Sequence, residues 1–253
     1  MGKVTNIEWT HLPGHRGATW NPWYGCRWVS TGCDNCYADS QMTRYGRDFN
    51  AVTRAKDATF YAPLHWKEPR GIFTCSWGDF FIKDADPWRE EAWEIIKSTP
   101  QHTYMILTKR PGLMDHWAKT HPWPDHVWAG TSVESPFYLP RLTVLNRVPA
   151  KIKFVSVEPL LEGFDPSKYF WVVQWVIVGG ESGPNYRPMP LEAMVDIVSF
   201  CEWAGLPVFV KQDSGFRPGQ QGRIPDAIWA LKEFPNGSQK VVRSPKWEGH
   251  RLS

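Results

Sequence analysis

The sequence predicts an α/β fold built on a parallel sheet. Short runs rich in β-branched and aromatic residues alternate with stretches of helical spacing, the pattern of successive βα units. Charged or small polar residues stand directly after each run, and no fixed-period repeat points to a solenoid or propeller instead. With 253 residues, 42% hydrophobic and 15% aromatic, the chain has enough apolar material for one α/β domain over 1–235, followed by a basic tail over 236–253.

Strands are expected at Gly71–Cys75, Thr103–Thr108, Val127–Thr131, Ile152–Val157, Trp175–Val178 and Pro207–Val210, each about as long as a buried parallel strand. Helical spacing covers Pro87–Ser98, where Trp88, Ala92, Trp93 and Ile96 recur on one face, then Gly112–Lys119, Pro136–Arg147 and Leu191–Ala204. Pro87 and Pro190 suit a first helical turn, and Gly205 is a natural stop. Open doubly wound sheets and closed or partial barrels both fit this order.

The residues at the carboxyl end of each strand favour the barrel. Cys75 leads into Ser76-Trp77-Gly78-Asp79, Thr108 into Lys109-Arg110, and Thr131 into Ser132-Val133-Glu134. Val157 leads into Glu158, Val178 into Gly179-Gly180-Glu181-Ser182, and Val210 into Lys211-Gln212-Asp213. In barrels that rim is where loops from several strands converge on one ligand. Asp79, Glu158 and Glu181 are therefore candidate working carboxylates, and Lys109 and Lys211 candidates for phosphate or cofactor carboxylate contacts. Ser132, Glu134, Gly179 and Gly180 join them as candidate cofactor contacts.

Several function classes drop out. The formal charge of +3 is too small to mark a nucleic-acid binder by field strength, although the tail concentrates Lys240, Arg243, Lys246 and Arg251 against Glu248. No apolar run approaches the ~20 residues of a membrane span. The first residues lack the apolar stretch of a secretory signal, so a reducing cytoplasm is the expected location. Neither a histidine metalloprotease motif, a phosphate loop nor a nucleophile elbow is present.

The N-terminal segment carries the strongest motif. Cys26, Cys33 and Cys36 have the spacing C-x6-C-x2-C, with Gly25 and Gly32 each preceding a cysteine. The close pair is a common thiolate spacing for zinc and for iron–sulfur clusters. A closed zinc site needs a fourth ligand, which His11, His15, His65, Cys75 or Cys201 would have to supply. A [4Fe-4S] cluster on three cysteines instead leaves one iron open, the requirement for binding S-adenosylmethionine through its amino and carboxylate groups. Trp20, Trp23 and Trp28 flank the loop and are candidates to shield such a group from solvent.

The Trp20–Tyr37 segment, the Phe73–Phe81 strand end, and the Ser156–Leu161 and Gly179–Pro188 runs together resemble a phage-associated family of uncharacterised proteins similar to radical S-adenosylmethionine enzymes. The resemblance spans roughly Ile7 to Pro235. It implies a partial (β/α)6-type parallel barrel with an N-terminal cysteine-containing loop, and an electron donor such as flavodoxin or ferredoxin. Cys26, Cys33 and Cys36 would hold the cluster, the Ser76-Trp77-Gly78 backbone would approach the cofactor, and Asp79 would supply the carboxylate for the methionyl amino group. The first cysteine gap of six departs from the three usual in that superfamily, and the literal Gly179-Gly180-Glu181 follows the fifth strand expected above, the sixth in that superfamily's count, rather than the second.

The radical chemistry implied is cleavage of S-adenosylmethionine to a 5′-deoxyadenosyl radical that abstracts hydrogen, with Glu158, Glu181 and Lys211 orienting substrate. The phage-type resemblance, the basic tail and the aromatic content point to a modified nucleobase in DNA or nucleotide. The alternative is a non-catalytic, zinc-stabilised module that binds nucleic acid or protein.

Overall fold

A computed structural model of the chain describes residues 5–235. The basic tail expected over 236–253 lies outside the described residues. In chain order the strands are β1 (Arg16–Thr19), β2 (Trp23–Tyr24), β3 (Thr53–Arg54), β4 (Arg70–Thr74), β5 (Thr103–Thr108), β6 (Val127–Ser132), β7 (Lys153–Val157), β8 (Trp175–Gly179) and β9 (Val208–Gln212). The α-helices are α1 (Tyr37–Arg44), α2 (Asp57–Phe60), α3 (Asp86–Ser98), α4 (Pro111–Ala118), α5 (Pro140–Leu145), α6 (Leu191–Ala204) and α7 (Asp226–Trp229). The chain is thus mixed α/β, and its main sheet has seven strands in the order β1-β4-β5-β6-β7-β8-β9. β2 and β3 form a separate antiparallel pair.

Two compact units divide the chain. Unit 1 runs through Gly130 and adds Val148–Lys151; unit 2 comprises Thr131–Arg147 and the chain from Ile152 onward.

In unit 1, β1 pairs in parallel with β4, and β4 with β5. All six expected strands form, but β1 was not among them, because Arg16-Gly17-Ala18-Thr19 lacks the β-branched and aromatic run that marks a strand. Its register places Gly17 opposite Gly71. A Cβ at Gly17 would lie 2.3 Å from Thr10 Oγ1, and one at Gly71 only 2.2 Å from the Thr10 carbonyl oxygen. The 3-10 turn Glu8–Thr10 presses against both strands there, which only glycine permits. Beneath lies an aromatic core of Trp20, Trp23, Phe60, Phe80, Trp93 and Tyr104. The Trp20 indole N–H donates to the Thr59 and Phe60 carbonyls, and that of Trp23 to the Asp79 carbonyl at 3.0 Å, so these two rings are buried without leaving a polar atom unmatched.

In unit 2, β7 pairs in parallel with β8, and β8 with β9. All five positions of β8 are buried, which is why Trp175-Val176-Ile177-Val178 reads as an unbroken apolar run. α6 has the expected bounds, and Gly205 takes the left-handed conformation (φ 62°) that lets the chain turn and cap the helix. The helix expected over Pro136–Arg147 is instead a 3-10 turn, Pro136–Tyr138, followed by the short α5. Pro140 cannot donate the backbone hydrogen bond that would continue the first turn into the second.

Candidate functional site

β1 delivers the chain into the cysteine loop, and α1 begins at the residue after Cys36. Gly25 has a left-handed φ of 97°, and a Cβ there would meet the carbonyl oxygens of Ala51 and Phe49 at 2.8 and 2.9 Å. That tight seat is fixed by Cys26 N–H donating to the Phe49 carbonyl at 2.8 Å and Gly25 N–H donating to the Trp77 carbonyl at 2.9 Å. The first cysteine is thereby stitched to the segment after β4.

That segment is held from several sides. The Asn21 amide donates to Ser76 Oγ at 3.0 Å and its oxygen accepts from Trp77 N–H at 2.8 Å. The Tyr37 hydroxyl donates to the Ser76 carbonyl at 2.9 Å, and the Trp77 indole donates to Gln41 Oε1 at 2.7 Å. Gly78 forms a parallel bridge with Gly25, whose carbonyl would lie 3.0 Å from a Cβ at position 78. Ser76, Trp77 and Gly78 are thus tied to the cysteine-bearing segment through Asn21, Gly25, Tyr37 and Gln41.

Asp79 is 4% exposed and its carboxylate is fully engaged within unit 1. It accepts from Thr108 Oγ1 at 2.7 and 2.9 Å, Phe81 N–H at 2.8 Å, Lys109 N–H at 3.2 Å and Arg110 Nη1 at 2.9 Å. Arg110 carries the connection onward: Nη1 also donates to Cys26 Sγ at 3.5 Å and Nη2 to the Arg27 carbonyl at 2.8 Å. The carboxylate therefore orients a guanidinium against the first thiol.

Cys26, Cys33 and Cys36 are free and half-buried, whereas Cys75 and Cys201 are buried. Burial, reinforced by the Asp79 charge, pushes the Cys26 thiol up to about 11 against the opposing pull of Arg110. Burial also raises Cys36, with Lys109 pulling the other way and Cys33 close enough to add to the rise. Cys75, deeper still, is raised by burial and then by the Asp79 charge. Among the described residues no group of three or more His, Cys, Asp or Glu side chains is arranged to hold a metal ion. The donor chemistry nevertheless fits a thiophilic group, since three free thiols on one loop are flanked by two cations that offset thiolate charge. The histidines nearest in sequence are otherwise occupied: His11 Nε2 contacts the Thr5 carbonyl at 2.8 Å and His15 Nδ1 the Pro13 carbonyl at 3.0 Å. Trp20 and Trp23 are core residues, while Trp28 is exposed and donates to Asp34 Oδ1 at 2.8 Å.

Lys109 belongs to unit 1; the other candidates lie in unit 2, where each carboxylate has a local cation. Glu134 is fully buried and accepts from Arg141 Nη1 at 2.8 Å, and the same nitrogen donates to the Ser132 carbonyl at 2.8 Å. Glu158 forms an ion pair with Lys211. Glu181, 5% exposed, accepts from Arg187 Nη2 at 2.6 Å, Nε at 3.0 Å and N–H at 2.8 Å. Asp213 makes the same bidentate arrangement with Arg223, at 2.7 and 2.9 Å, and is held below its ordinary carboxylate range by those bonds despite burial. The Gly179-Gly180 pair answers a packing demand. A Cβ at Gly180 would lie 2.3 Å from the Ser214 backbone nitrogen, and Gly180 exchanges hydrogen bonds with Gln212.

Arg110 and Asn21, which with Tyr37 and Gln41 tie the cysteine-bearing segment to the ends of β4 and β5, were not among the candidates the sequence offered. Arg110 follows Lys109 at a strand end, which was a signal; Asn21 sits in an aromatic stretch with nothing in its surroundings to single it out.

No helix among the described residues is long and apolar enough to cross a membrane. A family model described as a protein of unknown function (DUF5131) matches residues 4–252. Neither a curated protein nor a solved structure matches the chain.

Proposed function

The chain belongs to the DUF5131 family of proteins of unknown function, and from the thiol site of unit 1 we propose that it is a radical S-adenosylmethionine enzyme on a partial (β/α)6-type barrel. The observation that carries the reading is the placement of Cys26, Cys33 and Cys36 on the segment between β2 and α1, with Arg110 donating to the first thiol. A [4Fe-4S] cluster held by those thiolates supplies, when bound, one electron to the sulfonium of S-adenosylmethionine.

The chain's own residues prepare that site. Arg110, held by Asp79, offsets the negative charge that appears when Cys26 loses its proton, and Lys109 does so at Cys36. Asn21 and Tyr37 fix the Ser76–Gly78 backbone beside the loop, where it meets the methionyl end of the cofactor. Asp79 is a positioning residue in this account, because its oxygens are engaged by Thr108, Arg110 and backbone donors. In unit 2, Glu158 and Lys211 form a partly exposed ion pair and are that unit's candidates for substrate contact. The substrate class is a modified nucleobase in DNA or nucleotide, and the electron donor a flavodoxin or ferredoxin in a reducing cytoplasm.

The test is anaerobic reconstitution with iron and sulfide. The reading expects a brown protein with about four irons and a broad band near ~400 nm, lost in Cys33→Ala/Cys36→Ala. A colourless protein that retains one zinc overturns it. For the substrate, DNA binding that weakens with salt supports the polymer, and a slope near zero removes it.

A further inference from the structure

Unit 1 contains an open, solvent-exposed cavity of about 460 Å³ that the thiol site does not use. Its volume falls within the ~300–1,000 Å³ typical of small-molecule sites. Tyr24 from β2, Thr53 and Arg54 from β3, Lys56, and Arg47 from the turn after α1 line it. We propose that this cavity binds a phosphate-bearing small molecule of about nucleotide size.

The charge arrangement points to an anion. The Arg47 guanidinium lies over the Tyr24 ring, 4.5 Å from its centroid, and neither Arg47 nor Lys56 has a carboxylate partner among the described residues. Arg54, by contrast, is already matched by Asp57 at 2.6 Å and Glu91 at 3.5 Å, and its guanidinium is packed 3.9 Å above the Phe60 ring. It forms a rigid wall rather than a free charge. The single carboxylate lining the cavity, Asp48, accepts a hydrogen bond from Asn50 N–H at 2.8 Å.

Two cations of different geometry without a carboxylate partner, beside Thr53 and Thr59, suit a tetrahedral dianion: the guanidinium gives a planar fork and the ammonium a point charge. The rest of the lining suits the organic part of the ligand. Met42 is 1% exposed at the cavity wall, and the Tyr24 ring, lying under Arg47, completes the apolar part of the lining. The cavity also borders the cysteine loop from behind, since the backbone between Asp48 and Ala51 receives the Cys26 N–H at Phe49. The site stands on its own residues and does not depend on a cluster at the thiols.

Calorimetric titration of the full-length protein with ADP, inorganic pyrophosphate and adenosine tests the proposal. Saturable binding of ADP and pyrophosphate, with adenosine silent, is expected, weakened at least tenfold in Arg47→Ala/Lys56→Ala and restored in Arg47→Lys/Lys56→Arg. ADP binding without pyrophosphate binding, lost in the same double variant, also supports the site and makes the organic part a required element. Both side chains are exposed, so the variants keep the wild-type denaturation midpoint. The proposal is overturned if neither phosphate probe binds saturably, if the double variant binds ADP as tightly as wild type, or if adenosine binds as well as ADP. Reconstitution without iron uptake would leave this titration unchanged, so the two readings fail separately.

Discussion

The strand ends of the two units use the same kind of residue in different ways. In unit 2 each carboxylate after a strand closes on its own cation: Glu134 on Arg141, Glu158 on Lys211, Glu181 on Arg187 and Asp213 on Arg223. In unit 1 Asp79 binds Arg110, but Arg110 also reaches the Cys26 thiol and the Arg27 carbonyl. Two of those cations also reach backbone carbonyls, Arg141 that of Ser132 and Arg223 that of Met189, whereas Arg110 passes the orientation of a buried carboxylate to a thiol sulfur. What separates the units is the atom reached beyond the counter-ion: a backbone carbonyl in unit 2, a cysteine thiol in unit 1.

The largest effect should come from cutting that chain. Arg110→Ala leaves Asp79 buried beside uncharged neighbours, at a cost of about 3–5 kcal/mol measured by chemical denaturation. Asp79→Asn/Arg110→Gln, which removes both charges together, should recover much of the stability but not the iron content of the reconstituted protein. A double variant with full iron content would show that the arginine does nothing for the thiols.

Gly180→Ala attacks unit 2 at its tightest point. The new methyl would strike the Ser214 backbone, so a loss of about 1–3 kcal/mol is expected, with iron uptake intact. Unchanged stability would instead show that the Ser214 backbone shifts to admit the methyl.

A smaller effect comes from the exposed side of unit 2. Arg223→Ala releases Asp213, whose partner is half exposed, and should cost less than Arg110→Ala in the same denaturation experiment. An equal or larger loss would mean that closed and extended pairs differ in reach but not in energy.

The smallest expected change is with pH. His102 is 1% exposed, and burial lowers its pKa below the ordinary value, so the unfolded chain binds this proton more readily than the folded one. Its contribution to stability is full above about pH 6.5 and is lost as pH falls through the lowered folded value. His102→Gln should flatten that part of the stability curve.

The fold was legible where burial dictates residue type. The apolar runs of β5 and β8 and the helix α6 could be read because a strand covered on both faces must be apolar throughout, and because Gly205 ends the helix by its left-handed φ. β1 was not legible, since Gly17 is there to admit Thr10 and contributes no strand signal of its own. At the site, the cysteines declare themselves by spacing. Arg110 does not, because its role rests on an arrangement that brings Asp79 and Cys26 together across 31 and 84 residues of sequence.

The most direct measurement is the fate of S-adenosylmethionine with reconstituted, reduced protein under anaerobic conditions. Formation of methionine and 5′-deoxyadenosine, abolished in each of Cys26→Ala, Cys33→Ala and Cys36→Ala, is the predicted result. A protein that takes up about four irons through those cysteines and yet leaves S-adenosylmethionine intact would contradict the account.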